Sequence, residues 1–173
     1  MAQFIDTQQT AWDVTITAAT LRRVAQLLRV DLGNPLVSPD ESDSSQAPLI
    51  RLATDIMYAV DVLYVVCKPQ ADDRGLSDEQ FAARLGGETL EAAHAALEAA
   101  LADFFRGLKR PDVCEAIEKT RQLIDAAVKR GAETMTSPAM QERFDTILSQ
   151  VGKVAVDGPP SPASNPTATV YGN

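Results

Sequence analysis

The sequence predicts a mainly α-helical bundle with a small N-terminal β-hairpin and a disordered C-terminal tail. Three observations predict it. From residue 18 onward, apolar residues recur at helical spacing in one segment after another. Around Trp12 the period is two instead. From Asp157 the composition changes to DGPPSPASNPTATVYGN, which has too few core-forming residues to fold alone. The expected organisation is one domain over 1–156, with the hairpin at 3–17, and a Pro/Ser-rich tail over 157–173.

The elements follow in order. Gln3–Asp6 and Ala11–Thr17 read as two strands around Thr7–Thr10, with Trp12, Val14 and Ile16 on one face. A lone hairpin is marginal in water, so these three side chains should lie against helices. Thr17 can cap a helix to about Arg29, with Leu21, Val24, Leu27 and Leu28 on one face and Gly33-Asn34-Pro35 closing it. The acidic, Ser-rich stretch from Val37 to Pro48 reads as a mobile loop, or as a segment that a partner orders.

The most apolar helix is expected from Pro48 to Lys68, with Pro at its first position. It is apolar nearly all round, as in a helix central to a core or one with a second face covered by a partner. Lys68-Pro69 should stop it, and Gln70–Gly75 should form a turn. Asp72-Asp73-Arg74-Gly75 lacks the alternating ligands of a calcium loop, so its carboxylates are expected in solvent. Ser77 and Gln80 form a capping box, with Leu76 and Phe81 as its hydrophobic staple. That short helix ends at Gly86-Gly87. An Ala-rich helix should follow from Glu88 to about Arg106, with Leu90, Leu97, Leu101, Phe104 and then Leu108 as a narrow stripe. Pro111 opens a helix to about Arg130, ended by Gly131, with Val113, Ile117, Thr120, Ile124 and Ala127 on one face. Its outer face carries Glu115/Lys119, Glu118/Gln122 and Asp125/Lys129 at i,i+4. Ser137-Pro138 begins a last helix, with Met140, Phe144, Ile147, Leu148 and Val151 on one side.

Charge and composition narrow the function classes. The formal net charge of -8 disfavours nucleic acid and anionic membrane surfaces as partners. The longest apolar run lies within Val62–Cys67, far short of a membrane span. The opening residues lack a basic stretch followed by an apolar one, so a cytosolic protein is expected. Two cysteines, Cys67 and Cys114, read as buried thiols and not as a disulfide framework. The lone histidine, His94, has no Cys or His at metal spacing and reads as structural. There is no nucleophile elbow, Walker A sequence, HExxH or CxxC. No catalytic, cofactor-binding or metal-ligating residue is expected.

Taken together, FIDTQQTAWDVTITAATLRRV, VDVLYVVCKPQADDRGLSDEQF and the Gly-Gly corner leading to LEAALADFF resemble the small tail-assembly chaperones of long-tailed bacteriophages. The chain is most similar to a variant found in phage-derived clusters of bacterial genomes. The likeness covers roughly residues 3–106. It departs from the pattern in the longer, more acidic loop from Ser38 to Pro48, and 111–156 has no clear counterpart. The resemblance implies a non-enzymatic protein in the bacterial host cytoplasm. It would coat the long, aggregation-prone tape measure protein while tail tube protein assembles, and be missing from the mature virion. Its partners would be the tape measure protein, the tail tube protein and further copies of itself. The candidate partner-binding residues are Tyr58, Tyr64, Leu97, Leu101, Phe104 and Phe105. A small structural virion protein, such as a tail completion or connector subunit, is the alternative.

Overall fold

A computed structural model describes residues 2–38 and 46–156. Residues 39–45 of the acidic loop and the 157–173 tail lie outside the described residues. The chain divides into two compact units, one through Ala126 and one from Ala127 on.

The hairpin is present. Strands β1 (Ala2–Ile5) and β2 (Ala11–Val14) pair antiparallel with Phe4 opposite Trp12. Its turn has neither Asn nor Gly. Gln9 takes the left-handed conformation at φ 62°, and its N–H bonds the Asp6 carbonyl at 3.0 Å. This is a type I turn followed by a bulge. Trp12, Val14 and Ile16 are all buried, as the alternation requires. The second strand ends at Val14, short of the expected Thr17. The ladder ends there because Val14 already pairs with Ala2, the first residue of β1; beyond it the Thr15 carbonyl accepts from the Thr20 hydroxyl and Thr17 caps the next helix.

Helix α1 (Ala18–Leu28) buries Val24 and half-buries Leu21 and Leu28, but Leu27 is exposed. It closes earlier than Gly33, at a left-handed Arg29. The expected Pro48–Lys68 helix is two helices, α2 (Pro48–Thr54) and α3 (Ile56–Asp73). Asp55 is extended, and its carboxylate accepts the Tyr58 N–H at 3.1 Å, which starts α3.

Nor does α3 stop at Pro69. A proline inside a helix orphans the carbonyl four residues back. Here that is Val65, and its carbonyl accepts instead from the Arg23 guanidinium of α1 at 3.1 Å. The expected turn at 70–75 is therefore mostly helix. Gln70 and Arg74 cover the outer edge of β2. The Gln70 amide accepts from Asp13 N–H at 3.0 Å and donates to Asp13 C=O at 2.7 Å. Arg74 lies 4.6 Å over the Trp12 ring. An edge strand is thereby blocked by side chains, not by another strand. Gly75, at φ +66°, ends α3 with paired bonds from Gly75 N–H to Asp72 C=O and Leu76 N–H to Ala71 C=O.

Helix α4 (Asp78–Ala82) has the full Ser77/Gln80 capping box and a buried Phe81. Helix α5 (Glu88–Gly107) buries Leu97, Leu101 and Phe105, while Leu108 is exposed. Helix α6 (Pro111–Met135) buries Val113, Ile117 and Thr120. Ile124 is half-buried and Ala127 is exposed, so the expected buried face fades along the helix. The helix also runs through Gly131, a cost of only about 1 kcal/mol relative to alanine. Outside, Glu115–Lys119 and Glu118–Gln122 pair as expected.

The core of the first unit is centred on rings from distant parts of the chain. Phe81 meets Trp12 edge-on at 4.9 Å, and Tyr64 at 5.7 Å. Phe4 stacks on Trp12 at 6.3 Å. In the second unit, α7 (Pro138–Val156) starts at the expected proline. Its Phe144, Ile147 and Leu148 are exposed and Met140 is half-buried, so its apolar face is largely uncovered. The side chain of Val151 lies outside the described residues.

Candidate functional site

The most concentrated polar cluster is structural. Asp6 is buried, and its carboxylate accepts from Gln8 N–H and Thr10 N–H at 2.8 Å each and from the Trp12 indole at 3.0 Å. Arg84 approaches it at 3.4 Å. Burial pushes the Asp6 carboxyl up, but the bonds from Thr10, Trp12, Gln8 and Arg84 outweigh it and hold the pKa below the usual aspartate value. Thr7 N–H also bonds the Arg84 carbonyl at 3.1 Å. The cluster fastens the hairpin turn to the segment between α4 and α5. Both oxygens of the Asp6 carboxylate are thereby occupied by groups of the domain itself.

The expected partner-binding residues serve the domain's own core. Tyr58, Leu97, Leu101 and Phe105 are buried. Only Tyr64 and Phe104 are half-buried, and Tyr64 is occupied by Phe81 and by Lys68, whose ammonium lies 5.4 Å from the ring. Residues chosen for apolarity are the ones a core claims first. Of the two thiols, Cys67 is buried and pushed up to about 12 by burial, while Cys114 is half-buried.

A different surface carries a built concavity. Along α5, two adjoining cavities of about 260 and 250 Å³ share Ala53, Glu91 and His94 as lining. The first is bounded by Leu52, Ile56, Ala59, Gly87 and Leu90. The second is bounded by Ala95 and Glu98 of α5 and by Arg121, Ile124 and Asp125 of α6. Together they form a trough beside α5, apolar at the Leu90 end and charged at the Glu98 end. From Gly87 to Glu98 the helix rises roughly 16 Å. The trough exists because α2 breaks at Asp55 and because Ala53 and Ala59 are too small to fill it. Ile56, at the break, is 63% exposed beside it.

His94 sits at the middle. Its Nε2 lies 2.9 Å from the Leu52 carbonyl, so that nitrogen carries the donated proton. Its Nδ1 faces Glu98 at 3.9 Å. Burial pushes the Glu98 carboxyl above the usual glutamate value, against the opposing pull of His94 and Arg121, and Asp125 and Glu118 add to the rise. No residue lining the trough is a serine, cysteine, lysine or tyrosine. Among the described residues, no three His, Cys, Asp or Glu side chains are placed to hold a metal ion. Among them, too, no helix is long and apolar enough to cross a membrane.

A larger cavity of about 500 Å³ lies by the end of α1, lined among others by Arg29, Asp31, Arg51, Asp55 and Tyr58. Its charges balance, and Arg51 is held by Asp55 at 3.2 Å and by the Tyr58 ring at 4.2 Å. No apolar periodicity in the sequence points to the trough. The legible signal was Thr54-Asp55 ahead of an apolar run, which is an N-cap signature. Comparisons with protein-family models, with curated proteins and with solved structures find no match.

Proposed function

We propose that this chain is a non-enzymatic tail-assembly chaperone of a long-tailed bacteriophage or a phage-derived cluster. In this reading it acts in the bacterial cytoplasm and holds helical stretches of the tape measure protein in solution until tail tube protein encloses them. The observation that supports this best is the uncovered apolar face of α7, where Phe144, Ile147 and Leu148 are exposed at helical spacing. A helix with such a stripe is suited to covering the stripe of another helix. The acidic surface, with a net charge of -8, favours solubility of a chaperone loaded with apolar cargo. The sequence resemblance over residues 3–106 supplies the identity of the cargo.

The test is co-expression with the longest helical protein encoded in the neighbouring genes, followed by size-exclusion chromatography with light scattering. The chaperone reading expects several copies of this chain to co-elute with that protein and keep it soluble. A sharp homo-oligomer that ignores it would overturn the reading in favour of a ring or connector subunit.

A further inference from the structure

We propose that the trough along α5 is a docking site for a short basic amphipathic helix, which places an apolar side chain at the Leu90 end and a lysine or arginine at the Glu98 end. The proposal rests on the chaperone reading for the identity of its natural partner, but not for the chemistry of the site.

The walls exclude the other common mode of peptide capture. An extended peptide adds to a sheet edge through unpaired backbone groups. Apart from Gly87, the N-cap of α5, every lining residue belongs to a helix, α2, α3, α5 or α6, and no strand edge is present among them, so recognition has to run through side chains. A groove roughly 16 Å long takes about three turns of helix. The apolar end offers Leu90 and Ile56 over a floor of alanine, which fits one branched aliphatic side chain and its neighbour at i+3 or i+4.

Charge selects the occupant. Glu91, Glu98 and Asp125 face the trough, and Arg121 is the one permanent cation lining it. Arg121 lies 4.0 Å from Asp125, so it is already partly neutralised. Glu88 adds a further exposed acid in the first turn of α5. A cation on the incoming helix would restore the balance, and an acid would meet uncompensated repulsion. The same balance disfavours a second copy, since each copy carries a net charge of -8. Leu90 and Glu98 are eight residues apart, or roughly 12 Å along the axis. The incoming helix should therefore carry its lysine about two turns from its apolar anchor.

The test uses the full chain and a fluorescein-labelled helical peptide with leucines at i and i+3 and a lysine at i+8, read by fluorescence anisotropy. Saturable binding is expected, with affinity falling about tenfold when that lysine is replaced by glutamate. Ile56→Asp, at an exposed position, should abolish binding while leaving the circular dichroism and melting temperature intact. Ala53→Trp should do the same by filling the trough. In Glu91→Gln/Glu98→Gln the preference for lysine over glutamate should vanish. Equal binding of the two peptides by the wild-type chain would overturn the proposal. So would binding that survives both Ile56→Asp and Ala53→Trp, or self-association that alone occupies the site. Co-elution with the tape-measure-like protein that persists in both variants would overturn the trough and keep the chaperone. Peptide binding in the trough without any such co-elution would do the reverse.

Discussion

Asp6→Ala isolates the contact that ties the hairpin to the helices. The substitution leaves the Trp12 indole N–H without its acceptor inside a fully buried environment, and Trp12 is 0% exposed. A buried donor left unsatisfied costs about 1–3 kcal/mol. The Thr10 and Gln8 N–H groups lose the same acceptor, and Arg84 loses its anion. Those groups are only partly buried, so water recovers part of the loss. The expected destabilisation is about 3–4 kcal/mol, a large share of an ordinary domain's 5–15 kcal/mol or so. Urea denaturation measures it. Trp12 is the only tryptophan in the chain, so its emission reports directly on the hairpin and should shift to the red as the indole gains water.

The pH dependence supplies a second, independent readout. The folded pKa of Asp6 is lowered, so its stabilisation is fully present above the ordinary aspartate value and is lost as pH falls through the lowered one. The variant should lack this part of the acid limb. A loss under about 1 kcal/mol with unchanged emission and an unchanged acid limb would refute the reasoning.

Further outcomes follow from other contacts. Arg23→Met should cost about 1.5–3 kcal/mol by orphaning the Val65 carbonyl. Its cost should shrink in a Pro69→Ala background, where residue 69 regains an N–H for that carbonyl; a double-mutant cycle by chemical denaturation checks the coupling. Glu98→Gln should stabilise the chain at pH 7, because burial raises the folded pKa of Glu98 and so penalises its charged form. That advantage should vanish as pH falls through the raised pKa toward the ordinary glutamate value, which melting curves across pH would show. Iodoacetamide followed by mass spectrometry should modify Cys114 in the native protein and reach Cys67 only on unfolding.

The sequence was most legible where one local rule acts alone. Thr17, Ser77 with Gln80, Pro111 and Pro138 each begin a helix by chemistry confined to a few residues. The alternation of Trp12, Val14 and Ile16 identified the buried face of the hairpin. Legibility failed where a distant residue decides. Pro69 reads as a stop, yet Arg23, forty-two positions from Val65, supplies the missing hydrogen bond. The break at Asp55 hid inside a run whose apolar spacing fits one continuous helix, because Leu52 and Ile56 keep the period across it. The trough was harder still. Its defining features are small side chains and a one-residue break between helices, and neither leaves a periodic trace. Apolar bulk is the wrong signal for such a site, since Leu97, Leu101 and Phe105 were drawn into the core.

Hydrogen exchange on the complex with the tape-measure-like protein tests the central claim most directly. The account predicts added amide protection over 87–98 of α5 and over 52–59 across the α2–α3 junction, relative to the chain alone. Failure to form the complex would contradict the chaperone reading, and a complex that leaves both segments exchanging as before would contradict the trough as its docking site.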